Sequence, residues 1–363
     1  MTLTERFRDP EAARVVVDRI RARSNRPVRL MEFCGGHTHA ILRFGIPSLL
    51  PDTVDLRSGP GCPVCVTSAE DLDYAIALAE VPDVILTTFG DMIRVPGSRT
   101  SLADAKANGA DVRVVYSPLD ALQTARQNPH RPVVFLGVGF ETTAPMVASA
   151  VLTADAEGLD NFFVFSTHKL TPPATVAILN AGEVALDGII GPGHVTTVIG
   201  SDAWRFLPDE YAIPCAIAGF EPLDLLRAIL ALVQMAEDED PTISNTYARS
   251  VRAEGNPAAR QAIDQVFAVA AAEWRGLGTV PRSGLQVREV FRRFDARYVF
   301  SAAPPPSLRP SGCRCGEVLR GVLSPPECPL FGNACTPRNP VGPCMVSAEG
   351  ACAAYHQYRG WPS

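Results

Sequence analysis

The sequence predicts an α/β protein in which two parallel-sheet halves face each other across a cleft, followed by a smaller, mostly helical or irregular domain. Short apolar runs alternate with helical stretches from residue 28 to residue 220, which is typical of βαβ units. A Gly-Pro-Gly turn at residues 59–61 recurs at residues 191–193, and Gly-Phe-Glu at residues 139–141 recurs at residues 219–221. These echoes favour two similar halves. Beyond residue 310 the periodicity is lost and cysteines become frequent.

The individual elements follow from the apolar pattern in chain order. An amphipathic helix is predicted over residues 10–23, and a first set of strands covers residues 28–33, 54–58, 83–89 and 112–117. A second set of strands covers residues 131–136, 161–167, 187–193 and 215–220. Two further helices cover residues 221–236 and 257–274, and a stiff proline-rich connector covers residues 302–310. We therefore predict α/β domains over residues 1–120 and 121–222, and a helical linker with a cysteine-rich domain over residues 223–363.

Composition narrows the classes of function. The chain has 363 residues, 47% of them hydrophobic and 20% charged, with a formal net charge of −6, as in an ordinary globular protein. The negative charge argues against nucleic acid as the main partner. Residues 1–10 carry scattered charges without an apolar segment, so we expect neither a secretory signal nor a membrane span, and a cytoplasmic location. In that reducing compartment, metal or redox chemistry explains ten cysteines better than a disulfide framework.

The turn at residues 57–67 organises the rest of the chain. Cys62 and Cys65 lie three positions apart between a predicted strand and a helix, and Thr67 with Glu70 has the spacing of a capping box for that helix. We expect the turn to present the two sulfurs rather than pack them. Backbone N–H groups and the positive helix end there lower a thiol pKa. The pattern predicts a metal site or a disulfide.

A second thiol follows the first predicted strand. Cys34 precedes Gly35 and Gly36, which allow a tight turn or the approach of a bulky group, and His37 and His39 follow. A loop histidine is more often a hydrogen-bonding residue than a metal ligand, and the two histidines share a side only if the chain is extended. The loop at residues 89–98 also follows a strand, so we expect it to face one site together with the Cys34 and Cys62 loops.

The C-terminal segment carries the densest group of cysteines. Such a segment buries too little apolar surface to order itself, so a metal centre is the natural source of its stability. The cysteines are Cys313, Cys315, Cys328, Cys335, Cys344 and Cys352. An iron–sulfur cluster needs four thiolates. Structural zinc also takes four, but it usually comes with two close Cys-x-x-Cys pairs, which are absent from this segment, so a cluster is favoured.

Four motifs in this order resemble the HypD family of nickel-iron hydrogenase maturation factors, over nearly the whole chain. They are Met31-Glu32-Phe33-Cys34-Gly35-Gly36-His37-Thr38-His39, Gly59-Pro60-Gly61-Cys62-Pro63-Val64-Cys65, Gly191-Pro192-Gly193-His194-Val195, and Cys328-Pro329-Leu330-Phe331-Gly332 through Cys335-Thr336-Pro337 to Gly350-Ala351-Cys352. The resemblance implies two Rossmann-like domains and a third domain with a 4Fe-4S cluster, similar in thiol arrangement to ferredoxin-thioredoxin reductase.

The resemblance also implies a function and partners. The protein would be a scaffold on which the iron of the hydrogenase active site acquires two cyanides and one carbon monoxide. A small chaperone of the HypC type would share the iron through its N-terminal cysteine, and a HypE-type partner would present cyanide as a C-terminal thiocyanate. No nucleic acid or membrane partner is expected.

Carried onto this chain, the resemblance assigns the site residues. Cys34 would hold the assembly iron, with Cys62 and Cys65 as a redox-active pair facing the same iron, and His37 would join this catalytic set. The cluster ligands would be Cys313, Cys328, Cys335 and Cys352. The motifs leave open whether Cys315 or Cys344 is instead the fourth ligand; otherwise those two are candidates for a disulfide.

Two other classes of function explain part of the pattern. An iron–sulfur-dependent thiol-disulfide reductase accounts for the same cysteines but gives Cys34 and its Gly-Gly-His no role. A binding module with zinc in the tail accounts for the C-terminal cysteines alone. Copurification of iron beyond the four atoms of a cluster discriminates against the first, and a brown colour discriminates against the second.

Overall fold

A computed structural model describes residues 3–304 and 312–358 of the chain. The strands are β1 (Val28–Glu32), β2 (Val54–Ser58), β3 (Ile85–Thr88), β4 (Asp111–Val114), β5 (Val133–Gly137), β6 (Phe162–Ser166), β7 (Gly188–Pro192), β8 (Cys215–Ala218), β9 (Ile243–Asn245), β10 (Phe267–Trp274) and β11 (Gly278–Val287). They alternate with helices through the first two thirds of the chain, which confirms the α/β class.

The α-helices flank the sheets and cover the C-terminal segment. They are α1 (Leu3–Arg6), α2 (Pro10–Arg23), α3 (Gly35–Arg43), α4 (Ile46–Leu49), α5 (Pro63–Val66), α6 (Ala69–Ala79), α7 (Leu102–Ala107), α8 (Pro118–Gln127), α9 (Ala144–Glu157), α10 (Thr171–Ala181), α11 (Gly193–Ile199), α12 (Phe206–Tyr211), α13 (Pro222–Asp238), α14 (Pro257–Val266), α15 (Ala296–Val299), α16 (Cys315–Leu319) and α17 (Ala351–Gln357). Short 3-10 helices cover Gly90–Arg94, Ser201–Trp204, Glu289–Phe294, Pro325–Glu327 and Pro343–Met345. Within the described residues, no helix combines the length and the apolar composition needed to cross a bilayer.

The first sheet has the strand order β2-β1-β7-β8-β9 and is parallel throughout. The chain leaves β1 towards β2 on one side and later returns to its other side with β7, so the direction of winding reverses between β1 and β7. In open parallel sheets, ligands bind outside the carboxyl ends of the strands at such a reversal. Cys34 follows β1 directly and is therefore at the expected place for a site.

The second sheet has the order β4-β3-β5-β6 and is also parallel, with its reversal between β3 and β5. The antiparallel hairpin of β10 and β11 connects this sheet with the segment after α5. Lys169, which follows β6, bridges Gly284, and Thr67 bridges Trp274. The hairpin thus lies between the second sheet and the chain segment that carries Cys62 and Cys65.

The sheets do not follow the predicted boundaries at residues 120 and 222. Residues 1–120 supply β1 and β2 to the first sheet but β3 and β4 to the second, and residues 121–222 are divided in the same way. Strand partners such as Glu32 and Ile190 are far apart in sequence, so their pairing leaves no local signal. The two Gly-Pro-Gly turns consequently flank β1 within one sheet instead of belonging to two halves.

Two other predicted segments either differ from the structure or lie mostly outside the described residues. The helix predicted over residues 257–274 was wrong for its second half, where β10 forms, because Gly276 and Gly278 adopt positive φ and turn the chain into β11. The alanine-rich run before them looks helical by propensity, and tertiary pairing overrides it. Most of the predicted connector at residues 302–310 lies outside the described residues.

Candidate functional site

Cys34 lies against the glycine turn that follows β2. The Gly35 N–H donates to the Gly61 carbonyl oxygen at 2.9 Å, and the Gly59 N–H donates to the Glu32 carbonyl oxygen at 2.8 Å. A Cβ atom at Gly61 would lie 2.3 Å from the backbone nitrogen of Cys34, so only glycine allows this approach. The structure therefore brings the Cys34 segment and the Cys62 segment side by side.

A buried carboxyl group supports the Cys34 backbone. Glu32 is 2% exposed and accepts hydrogen bonds from the Cys34 N–H at 2.8 Å and from the Thr38 hydroxyl. Burial raises the pKa of Glu32 to about 8. Burial, followed by the nearby charges of Glu349 and Glu32, raises the pKa of the Cys34 thiol to about 12. The Cys34 sulfur therefore needs a cation beside it to lose its proton. A bound metal ion provides such a charge to a thiolate ligand.

His37 is enclosed within the fold. It is 0% exposed, its Nε2 donates to the Ala218 carbonyl oxygen at 3.1 Å, and its ring packs on Phe220 with centroids 4.7 Å apart. Burial lowers its pKa to about 4, so the ring is neutral. His194 also stacks on Phe220, at 3.8 Å. The buried His37 ring thus packs against Phe220, which lies beside the Cys34 segment.

His39 turns elsewhere, because the segment is helical and not extended. Its Nε2 lies 3.0 Å from the hydroxyl oxygen of Tyr358, and the two rings meet edge to face. The helix α3 begins at Gly35, directly after Cys34, so the two histidines have different partners. His39 therefore links this helix to the C-terminal helix α17.

Cys62 and Cys65 form a disulfide with their Cα atoms 5.2 Å apart. Cys62 is the N-terminal cap of α5, and its sulfur accepts the Cys65 N–H at 3.2 Å. Both residues are buried, so the expectation that the turn presents them was wrong. The C-terminal 3-10 helix Pro343–Met345 packs against α5 and covers them.

The predicted capping box is shifted by one residue. Thr67 ends α5, and Ser68 is the cap of α6, with its hydroxyl accepting the Asp71 N–H at 2.9 Å. The cause is the single turn of α5, which the apolar pattern does not reveal.

All six C-terminal cysteines line one cavity. Its other walls are apolar, from Val318, Leu330, Phe331, Gly342 and Met345. The cysteines are Cys313, Cys315, Cys328, Cys335, Cys344 and Cys352, and all are free thiols in this structure, including the Cys315 and Cys344 considered for a disulfide. Hydrogen bonds from Cys313 and then Cys344 hold the pKa of the Cys315 thiol well below its usual range. Among the described residues that line it, the cavity is a sulfur donor set with no competing oxygen or nitrogen side chain.

The chemistry of this donor set matches the ligand type of an iron–sulfur cluster. Among residues 3–304 and 312–358, no three His, Cys, Asp or Glu side chains stand close enough to hold one metal ion. The ligands of a four-iron cluster bind four different iron atoms and are more widely spaced, and all are thiolates. The six thiols of the cavity supply that ligand type in excess.

The cavity and the Cys62–Cys65 pair share one buried core. This sulfur-rich core contains Cys62, Cys65, Cys315, Cys335, Cys344 and Cys352, together with Met31, Phe33 and Trp274. The C-terminal segment also reaches the Cys34 loop, because a Cβ atom at Gly35 would lie 2.3 Å from the Glu349 carbonyl oxygen. The tail that lines the cavity therefore covers the Cys34 site as well.

Sequence reasoning missed several residues of this site. Glu32 lies inside a motif that was noticed, but its burial under Cys34 could not be read from the chain. Arg275 was missed because it directly follows the helix predicted over residues 257–274, although Gly276 and Gly278 are a signal for a turn. Its Nε donates to the Thr67 carbonyl oxygen at 3.0 Å, next to the disulfide-bearing helix.

Comparison with known proteins agrees with this arrangement of motifs. The family model HypD, described as "Hydrogenase formation hypA family", matches residues 11–359. The hydrogenase expression/formation protein HupD of Azotobacter chroococcum mcd 1 is 52% identical over 367 residues, covering 99% of this chain and 97% of that protein. The hydrogenase maturation factor HypD of Azotobacter vinelandii is 51% identical with the same coverage, and that of Escherichia coli (strain K12) is 46% identical, covering 99% and 98%. The chain therefore belongs to the HypD family.

Proposed function

We propose that this chain is a cytoplasmic maturation scaffold for nickel-iron hydrogenase, which holds an iron on Cys34 while the iron acquires two cyanides and one carbon monoxide. The family membership and the relatives named as hydrogenase maturation factors support the role in maturation. A small chaperone of the HypC type shares the iron, and a HypE-type partner presents the cyanide. Low-spin iron with such ligands is soft, so thiolate suits it better than carboxylate.

One observation carries the proposal: the chain segments that bear the three groups of cysteines are in contact with one another. Cys34 abuts the glycine turn that leads to Cys62, and the Cys62–Cys65 pair lies in the same buried core as four cysteines of the cavity. The groups come from distant parts of the sequence, and ordinary packing does not require cysteine at these positions. The arrangement suits a held metal with a source of electrons beside it.

The Cys62–Cys65 pair matches the electron count of cyanide delivery. Releasing cyanide ion from a thiocyanate breaks its C–S bond and requires two electrons, leaving a thiolate on the donor. A dithiol at Cys62 and Cys65 supplies both electrons, becomes the disulfide seen here and releases two protons. The freed cyanide binds the iron at Cys34, and Cys62 and Cys65 face that iron.

We propose that the cavity holds a resident 4Fe-4S cluster, because its lining supplies thiols. Cys313, Cys328, Cys335 and Cys352 are the proposed ligands, with Cys315 or Cys344 as the alternative fourth. Such a cluster, when bound, would supply electrons one at a time. We assign His37 a positioning role, because its buried, neutral ring packs against Phe220 beside Cys34.

Infrared spectroscopy of the full-length chain, purified without oxygen together with its small partner, tests the proposal. We expect iron-cyanide and iron-carbonyl bands in the wild type and their loss in Cys34→Ala. The matched control is Cys215→Ala, which removes a buried thiol of the same core and should keep the bands. Cys328→Ala should leave the chain present but colourless. Retention of the bands in Cys34→Ala defeats the assignment of the iron.

The thiol-disulfide reductase considered from sequence is less well supported. It explains the Cys62–Cys65 pair and the cysteine cavity but gives no role to Cys34, which lies beside the same glycine turn. The same purification discriminates, because a reductase carries no iron beyond its cluster and no diatomic ligands.

A further inference from the structure

Arg275 lies at the tip of the β10–β11 hairpin, against the helix that carries the Cys62–Cys65 pair. Its backbone N–H donates to the Val66 carbonyl oxygen at 2.9 Å, and its Nε donates to the Thr67 carbonyl oxygen at 3.0 Å. Carbonyls at the end of a helix lack partners within the helix. Arg275 satisfies two of them and is thereby fixed at the end of the single turn that contains Cys65.

The same hairpin tip touches the first segment of the cysteine cavity. A Cβ atom at Gly276 would lie 2.6 Å from the Cα of Gly316, which follows Cys315. Arg320 links the hairpin turn to helix α16, since its Nη1 donates to the carbonyl oxygens of Gly276 at 2.6 Å and Gly316 at 3.2 Å. Arg275 therefore lies between the end of α5, which contains Cys65, and the segment that begins at Cys315.

One nitrogen of the Arg275 guanidinium is left over. Nη2 of Arg275 is buried and, among the residues that the structure describes, has no hydrogen-bond partner. A buried donor without a partner costs about 1–3 kcal/mol, so an unpartnered group in a native fold needs an explanation, and a redox role is one of them. A disulfide sulfur carries no charge, whereas a thiolate is a strong acceptor for a cation.

We propose that Arg275 is a positioning residue that stabilises the reduced form of the Cys62–Cys65 pair, by offering its charge and its spare N–H to the thiolate formed when the disulfide opens. This deepens the proposed function, on which it rests for the redox role of the pair. Reduction by two molecules of glutathione breaks the S–S bond and takes two electrons from them, so that they become one molecule of glutathione disulfide. One proton stays on the protein as a thiol, one is released, and one sulfur remains a thiolate.

The test measures the thiol-disulfide equilibrium of this pair in the full-length chain. The protein is equilibrated without oxygen in glutathione redox buffers, and the cysteines are alkylated and assigned peptide by peptide by mass spectrometry. Removing the charge in Arg275→Gln should shift the equilibrium towards the disulfide by about tenfold, which corresponds to a midpoint potential about 30 mV more negative. Arg275→Lys keeps the charge but loses the fork of donors, so its shift should stay below about threefold.

The matched control is Arg320→Gln, which removes a charge from the same junction. Arg320 is paired with Glu183, so its charge is compensated, and its loss should change the equilibrium by less than about twofold. The proposal is overturned if Arg275→Gln behaves as the wild type, or if Arg320→Gln shifts the equilibrium equally. If Arg275→Gln does not fold, a tenfold shift in Arg275→Lys also overturns it. Absence of iron-cyanide bands from the wild type defeats the proposed function alone, because this equilibrium does not depend on bound iron.

Discussion

The carboxyl edges of the two parallel sheets have the same topology but opposite chemistry. At the first edge, glycines and sulfur surround Cys34, and the buried carboxyl group of Glu32 accepts hydrogen bonds from the Cys34 N–H and the Thr38 hydroxyl. At the second edge, the Lys169 ammonium lies 3.2 Å from Asp71, which also pairs with Arg297 at 2.5 Å, beside a cleft of about 320 Å³. The reversal of winding therefore provides only a position for a site. The side chains at each edge determine whether that position serves a chemical role or stabilises the fold.

The largest expected effect is on the second edge. Asp71→Asn leaves the Lys169 ammonium, whose side chain is 2% exposed, buried without its carboxylate, which should lower the free energy of unfolding by about 3–5 kcal/mol. Urea denaturation measures this loss. The control is Asp202→Asn, which breaks the exposed Asp202–Arg205 pair and should cost less than about 1 kcal/mol. Iron-cyanide bands should persist in the folded variant, and equal losses in the two variants would remove the contrast between the edges.

The next effect is on the first edge. Gly61→Ala places a methyl group 2.3 Å from the Cys34 backbone nitrogen, so we expect a cost of about 1–3 kcal/mol and loss of the iron-cyanide bands. Gly90→Ala is the counterpart after β3 in the second sheet. Its new Cβ would meet nothing closer than Val114 Cγ1 at 3.6 Å, so stability should change by less than about 0.5 kcal/mol. Thermal unfolding and infrared spectra of both variants check this; a tolerated Gly61→Ala would show that the close approach is unimportant.

A further expected effect concerns the pH dependence of stability, and unlike the two before it, it is spread over several pH units. Glu141 follows β5 at the second edge, accepts hydrogen bonds from the Thr171 N–H and hydroxyl, and has its pKa raised by burial to about 7 from an ordinary value of 4.5. Between these values the folded state keeps a proton that the unfolded state has lost, so stability falls as the pH rises. The difference between the two pKa values corresponds to a loss of about 3 kcal/mol at most in the free energy of unfolding, and this loss is complete above pH 7.

Replacing this carboxyl group should flatten that part of the pH profile. In Glu141→Gln the free energy of unfolding, measured by urea denaturation, should fall less steeply between pH 4.5 and pH 7 than in the wild type. The remaining slope includes Glu32, whose raised pKa of about 8 extends the window at the first edge. An unchanged slope in Glu141→Gln would mean that burial at the second edge does not hold the proton.

The sequence allowed much of the first edge to be predicted, because its signals are local. Glycines beside cysteines, strand ends and a family resemblance led to Cys34, Cys62 and Cys65 and to the eight strands of the two sheets apart from β9. The division of those strands between sheets could not be predicted, because parallel pairing joins segments over a hundred residues apart. Burial of the disulfide was missed for the same reason, since the cover at Pro343–Met345 comes from the far end of the chain.

The hairpin was missed for a different reason. Residues 267–274 include three consecutive alanines, which favour a helix when no partner strand is known. Pairing with β11 overrides that preference, and the turn between them carries Arg275 to the redox pair. A residue whose role depends on such pairing cannot be found before the register is known.

The most direct test of the central claim is an iron count with Mössbauer spectra of the anaerobically purified full-length chain and its small partner. The account predicts two populations of iron, four atoms in a cluster and one low-spin iron, and predicts that Cys34→Ala loses only the second. A single population in the wild type, or loss of both together in Cys34→Ala, would contradict the claim that Cys34 and the cysteine cavity hold separate iron centres.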